Sequence, residues 1–289
     1  MGGEDLRGIG TDSRSGGGVV KPGVGIRHLW VFGFDGTLSP LVPDRNEARL
    51  HPDALELLKD LAADPRDRVA VLSSRSIEDI VPRIPVPRVF VGGGSGLTWR
   101  DPEGALFPPD EETERELEKS RRNVIPVLGK IATIHGVELE DKRWSVAVHY
   151  LRVHPEEIFV LFPMIQELKR HPGIRVFGGP DVADVQFLPT INKAFGIRRL
   201  CRHLSFHPSK GRIIYAGDDE NDAVAMRWVL SRRGTAFAIG GWVSVAKAVN
   251  VDGPASLVRA VRSLTGIYRA KTAGKEGRRE KADDAVRGV

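Results

Sequence analysis

Apolar residues run through this chain in two rhythms. Short continuous blocks, HLWVFGF from His28, RVAVLSS from Arg68 and RVFVGGGSG from Arg88, are closed by Gly, Ser or Asp. Blocks of this length, bounded by turn residues, predict strands buried on both faces. Between them, HPDALELLKDLAAD spaces Leu55, Leu58 and Leu61 at helical intervals behind a proline. SIEDIVPRI opens with a serine cap followed by Glu78 and Asp79. Both segments predict helices. Strand, helix, strand, helix, strand at this spacing predicts a parallel α/β sheet.

The rhythm changes in the middle. Residues 108–130 predict a long, highly charged helix. VELEDKRWSVAVHYL alternates with period two in SVAVHY, and EEIFVLFPMIQELKRH predicts a further helix. IRVFGG and DVQFLP predict two short strands. This order predicts a small α+β layer inserted into the parallel sheet. From Asn192 the first rhythm resumes through KAFGIRRLCRHL, RIIYAG, DAVAMRWVLS, TAFAIG and SLVRAVRSL. The expected division is a Gly-rich disordered tail over 1–25, a core over 26–104 and 190–268, an α+β cap over 105–189, and a charged disordered tail over 269–289.

Composition adds bounds. With 289 residues, 41% apolar and 28% charged, the chain suits a soluble protein of two domains, or one domain with a large insertion. No apolar run approaches the ~18 residues of a membrane span. MGGEDLRGIGTDSRSGGGVVKPG holds no secretory h-region, and MGGEDL lacks the Ser or Thr of a myristoylation signal. A cytoplasmic location is expected. The single cysteine, Cys201, excludes an internal disulfide and a Cys-based zinc site. A net charge of +5 and a pI of about 9.4 would suit nucleic acid. From Arg269 onward, however, seven basic side chains stand against four acidic ones. No basic helix is interleaved with aromatics, and no nucleic-acid partner is expected.

Candidate chemistry lies at the C-terminal ends of the predicted parallel strands, where open α/β sheets bind ligands. FDGTL places Asp35, Gly36 and Thr37 in a turn able to cradle an oxyanion; a plain Asp-Gly turn reads equally well. VLSSRS offers Ser73 and Arg75 to the same anion, although the segment also suits a helix N-cap. IIYAGDDEND sets Asp218, Asp219 and Asp222 close together. Converging carboxylates repel unless a cation such as Mg²⁺ neutralises them; the alternative is a solvated acidic turn. Lys193, opening a helix after LPTIN, could balance that charge, though most lysines are simply solvated.

These four segments, in this order and around an insertion, resemble the haloacid dehalogenase superfamily of phosphatases. That resemblance implies a Rossmann-like core under an inserted cap. LSPLVPDRNEARLHPDALELLKDLAADPRDRVAVLSSRSIEDI resembles trehalose-6-phosphate phosphatases more closely, as do GVELEDKRWSVAVHY and LPTINKAFGIRRL. The resemblance implies Mg²⁺, a sugar-phosphate substrate, and substrate contacts from Glu140, Lys142 and His149, with Tyr150 beside them. It also implies Asp35 as acid/base, with Ser73 and Lys193 assisting.

Several positions depart from that pattern. Gly33 stands where the resemblance implies a nucleophilic Asp that also ligates Mg²⁺. Loss of a nucleophile costs about 10³–10⁶ in rate. Asp35 with Thr37 also resembles the Asp-x-Thr of ion-pumping ATPases, where that Asp attacks. Gly94, Ser95 and Gly96 replace Asn-His-Gly. Gln186, Phe187, Leu188 and Pro189 replace Glu-x-Arg-Pro, and Ala194 replaces Gly. Three readings follow: a Mg²⁺-dependent sugar-phosphate phosphatase, a pseudophosphatase that binds or senses sugar phosphate, and a structural partner of a trehalose-synthesis enzyme.

Overall fold

The computed structural model describes residues 25–179 and 181–266. Apart from Gly25, both expected tails lie outside the described residues. The chain forms β1 (His28–Phe32), α1 (Pro52–Ala63), β2 (Asp67–Leu72), the single turn α2 (Ile77–Ile80) and β3 (Val89–Gly93), then β4 (Thr98–Arg100) and β5 (Leu106–Phe107). A second layer follows: α3 (Glu111–Ile131), β6 (Glu138–Asp141), β7 (Ser145–His149), α4 (Pro155–Arg170), β8 (Arg175–Gly179) and β9 (Val182–Gln186). The chain returns through α5 (Lys193–His203), β10 (Arg212–Gly217), α6 (Glu220–Ser231), β11 (Thr235–Ile239), β12 (Val249–Val251) and α7 (Pro254–Thr265).

The large sheet runs β12-β11-β10-β1-β2-β3-β4-β5. It is parallel from β12 to β3, and β4 and β5 add antiparallel strands at one edge. The predicted α/β class is therefore the observed one. The sequence reading missed β4, β5 and β12, which span two or three residues each and are too short to show a period.

The central strand explains its own sequence. Trp30 and Phe32 pack with Leu57, Leu58, Leu257 and Val261 on the α1/α7 face. Leu29 and Val31 pack with Ile197, Leu200, Met226 and Val229 on the α5/α6 face. A strand covered on both sides reads as a continuous apolar run. α2 stops after one turn: Ser76 caps it by accepting from the Asp79 N–H at 3.2 Å, and Pro82 cannot continue the ladder.

The small sheet, ordered β6-β7-β9-β8, is antiparallel throughout. α3 and α4 cover it, burying Leu117, Val124, Leu128, Leu161, Ile165 and Leu168 against Val146, Val148 and Val185. α3 starts where Asp110 accepts from the Thr113 N–H at 2.8 Å, with Glu111, Glu112 and Glu114 in its first turn, where the helix dipole favours acids. Among the described residues, no helix is long and apolar enough to cross a membrane.

Candidate active site

The C-terminal ends of β1, β2 and β10 face the small sheet across a cavity of about 440 Å³. Asp35, Ser73, Arg75, Lys193, Asp218 and Asp219 line it from the large sheet, and Glu140, Lys142 and His149 from the small one. Nine predicted residues therefore meet in one place. Gly36 lines a neighbouring cavity that shares Asp218. Gly33, Thr37 and Asp222 are buried behind the surface.

The turn after β1 is tied from both ends. The Gly33 N–H donates to the Ala216 carbonyl at 2.8 Å, and the N–H groups of Thr37, Leu38 and Ser39 all donate to the Phe34 carbonyl. Gly36 has φ +66°, and a Cβ there would stand 2.1 Å from Asp218 Oδ2. Conformation and closeness both require glycine. Thr37, expected at a phosphate, donates through Oγ1 to Asp218 Oδ1 at 3.0 Å. That hydroxyl fills the space beside Gly33, where an added Cβ would meet it at 2.8 Å.

Arg75 likewise takes protein partners. The sequence pointed its guanidinium at an anionic ligand. In the structure Nε donates to Asp35 Oδ2 at 2.7 Å and Nη2 to Asp35 Oδ1 at 2.6 Å. Nη1 donates to Asp79 Oδ2 at 2.7 Å, and Nη2 also reaches the Arg45 carbonyl at 2.9 Å. The planar fork suits paired carboxylate oxygens and leaves little of this arginine for a phosphate. Ser73 Oγ accepts from the Arg75 N–H at 3.1 Å, which leaves its own O–H free to donate into the cavity.

The acidic loop divides its carboxylates between the interior and the cavity. Among the described residues, no group of three or more His, Cys, Asp or Glu is arranged to hold a metal ion. Asp222 is turned inward, fully buried. Its Oδ1 accepts from Lys193 Nζ at 2.6 Å and from the Tyr215 hydroxyl. Its Oδ2 accepts from the N–H groups of Asp218 and Asp219 at 3.0 and 3.2 Å. Asp219 in turn caps α6 by accepting from the Asp222 N–H at 2.7 Å. This reciprocal capping box uses up Asp222 and leaves Asp218 and Asp219 toward the cavity.

Charge within the loop is unbalanced. Burial, then Asp222 and Asp219, push the Asp218 carboxyl well above the usual range. Burial and Asp222 push Asp219 up to about 7. Burial alone would raise Asp222, but the Lys193 ammonium and the hydrogen bonds hold it low. Burial pulls Lys193 down, and Asp219, Asp222 and Asp218 outweigh it. Excess negative charge of this kind, on oxygen donors, is what a hard divalent cation offsets.

The small sheet contributes a second network. His149 Nε2 lies 3.1 Å from Glu140 Oε2, and Lys142 Nζ donates to Asp184 Oδ1 at 3.1 Å. Asp184 also accepts from Ser145 Oγ and Gln186 Nε2. Arg45, from the large sheet's side, pairs with Glu140. Sequence reasoning missed Asp184, Arg45, Asp79, Tyr215 and Asn221. Asp184 carried a signal, a carboxylate between the valines of a strand; Arg45 in its short turn and Asp79 on α2 carried none. Two departures in the sequence also meet here. Ser95 Oγ accepts from Gln186 Nε2 at 3.4 Å and Asn221 Nδ2 at 3.1 Å. Among the described residues, Gln186 Oε1 is buried with no hydrogen-bond partner.

The chain is 32% identical over 210 residues to the trehalose-phosphate phosphatase of Mycobacterium avium (strain 104), an alignment covering 69% of this chain and 51% of that protein. It thus spans about half the length of the curated relatives it matches. The C-terminal domain of Candida albicans trehalose-6-phosphate phosphatase superposes with a TM-score of 0.66 at 18% identity, covering 84% of this chain and 93% of that one. The C-terminal domain of the Candida albicans trehalose synthase regulatory protein superposes with a TM-score of 0.64 at 14% identity, covering 81% and 93%. Haloacid dehalogenase-like hydrolases share the fold as well. At these identities the structures speak to fold alone. The sequence itself matches the family described as Trehalose-phosphatase over residues 31–255, and on that extent the chain belongs to the trehalose-phosphatase family.

Proposed function

We propose that this chain is a Mg²⁺-dependent sugar-phosphate phosphatase acting on trehalose 6-phosphate or a close relative, with the small sheet serving as its cap. The observation that carries this is the shared cavity. An anion-handling edge with Ser73, Lys193 and Asp35 faces a wall of Glu140, Lys142 and His149 suited to hydroxyls. The phosphate end would meet the Ser73 O–H and the Lys193 ammonium. Asp218 and Asp219 are the oxygen donors that would hold Mg²⁺, which when bound supplies charge stabilisation at the phosphoryl oxygens. Gly33 stands at the nucleophile position of the family's pattern, so attack falls to water held in the cavity between Asp35 and Ser73. Both oxygens of Asp35 accept from Arg75, so proton transfer from Asp35 to a leaving oxygen requires that fork to loosen.

A second reading is favoured by Gly33 together with the Arg75 fork: a binder that holds sugar phosphate without turning it over, alone or beside a trehalose-synthesis enzyme. Calorimetry and phosphate release on one preparation with Mg²⁺ and trehalose 6-phosphate separate the two. Release supports the phosphatase. Binding without release supports the sensor. Neither would sink both.

A further inference from the structure

We propose that Arg45 is the post on which the small sheet closes, a positioning residue that fixes Glu140 for sugar recognition. This rests on the sugar-phosphate reading above.

Arg45 opens the short helical turn Arg45–Glu47 between β1 and α1, which Asp44 caps by accepting from the Asn46 N–H at 2.8 Å. The turn is fastened from below by two arginines. Arg75 donates to the Arg45 carbonyl at 2.9 Å. Arg83 donates to the carbonyls of Asn46 and Ala48 at 3.1 and 3.0 Å. Asp79 holds both, accepting from Arg75 on one oxygen and Arg83 on the other. The Arg45 side chain rises from this braced base across the cavity to Glu140 on β6.

Other contacts also bridge the layers. The Gly178 N–H donates to Glu220 at 2.7 Å, and Gln186 meets Ser95 close to where the chain crosses back. The Arg45–Glu140 ion pair joins the two layers across the cavity, whereas Lys142, 4.0 Å from Glu140, approaches it from within the small sheet. The ion pair pins a carboxylate that also takes His149, so the orientation of that acceptor depends on Arg45. Because Arg75 holds the Arg45 carbonyl and Asp35 with one guanidinium, closure of the small sheet and placement of Asp35 share a base. A misplaced acceptor at a sugar hydroxyl costs discrimination rather than phosphate affinity.

The experiment compares wild type with Arg45→Ala and Arg45→Lys in two ways. Calorimetry with Mg²⁺ measures trehalose 6-phosphate against inorganic phosphate, which has no sugar to reach Glu140. Arg45→Ala is expected to weaken the sugar phosphate by about 30-fold or more and inorganic phosphate by no more than about two-fold, with Arg45→Lys between. Equal weakening of both ligands, or of neither, would overturn the proposal. Amide exchange without ligand is the second arm: the amides of β6 and β7 should exchange faster in Arg45→Ala, while those of β1 and β10 stay as in wild type. Unchanged β6 exchange in a folded variant also overturns it. A wild type that binds no sugar phosphate but shows the exchange difference sinks the functional reading and leaves the closing post standing.

Discussion

Arg75 grips both carboxylate oxygens of Asp35, at 2.7 and 2.6 Å, from a side chain only 5% exposed. The same guanidinium takes Asp79 and the Arg45 carbonyl. One buried cation thus organises the turn after β1, the start of α2 and the loop beneath the small sheet.

That arrangement makes Arg75 costly to remove. Arg75→Ala leaves two carboxylates facing a void, and breaking such a pair costs about 2–4 kcal/mol, tempered by the partial exposure of Asp35 and Asp79. Arg75→Lys keeps the charge but not the fork, and should recover less than half of the loss. Urea unfolding checks both; a Lys variant as stable as wild type would show that charge alone suffices.

Gly33→Asp restores a carboxylate at a tight spot. The new Cβ would sit 2.8 Å from Thr37 Oγ1 and 3.3 Å from Thr37 Cβ, so Thr37 must turn away from Asp218. A stability loss of about 1–3 kcal/mol is expected. If the cradle is otherwise intact, phosphate release with Mg²⁺ should rise by about 10³-fold or more. Pairing it with Thr37→Ser, which frees the rotamer, should recover stability without losing that gain. No rise in either variant would mean that the site lacks more than its nucleophile.

Asp222 is expected to behave as scaffold. Asp222→Ala removes the partner of the Tyr215 hydroxyl and the nearer carboxylate of Lys193, leaving the ammonium only Asp219 at 3.6 Å, at a cost of about 3–5 kcal/mol. Asp218→Asn should instead leave the fold near wild type and abolish Mg²⁺-dependent thermal stabilisation. The outcome against this is a stable Asp222→Ala protein that has merely lost its response to Mg²⁺.

His149 supplies a pH signature. Burial, followed by the charges of Lys142 and Arg45, holds its imidazole below the ordinary value. The unfolded chain takes up that proton near pH ~6.5, and the folded protein only at lower pH. Between the two the unfolded state binds more protons, so stability falls as pH falls. From about pH 7.5 to about pH 5.5, wild type should lose more stability than His149→Gln. Parallel losses in the two proteins would mean that the imidazole is not held down.

Much of this was legible in the chain itself. HLWVF, RVAVL and RIIYAG announced buried parallel strands because both faces of each are covered, and period alone records that. Their C-terminal ends pointed to Asp35, Ser73 and Asp218, since a parallel sheet gathers all its strand ends on one edge. The fork from Arg75 to Asp35 spans 40 positions in sequence, and no local pattern encodes which way a long side chain reaches. Asp222 looked like a third ligand because spacing shows nearness and not direction. Only the folded loop, with its capping box, turned that carboxylate inward. Residue type and order therefore set the edge where chemistry gathers. Tertiary packing decided which of the gathered charges face the cavity, because burial forces every charge it covers to find a partner first.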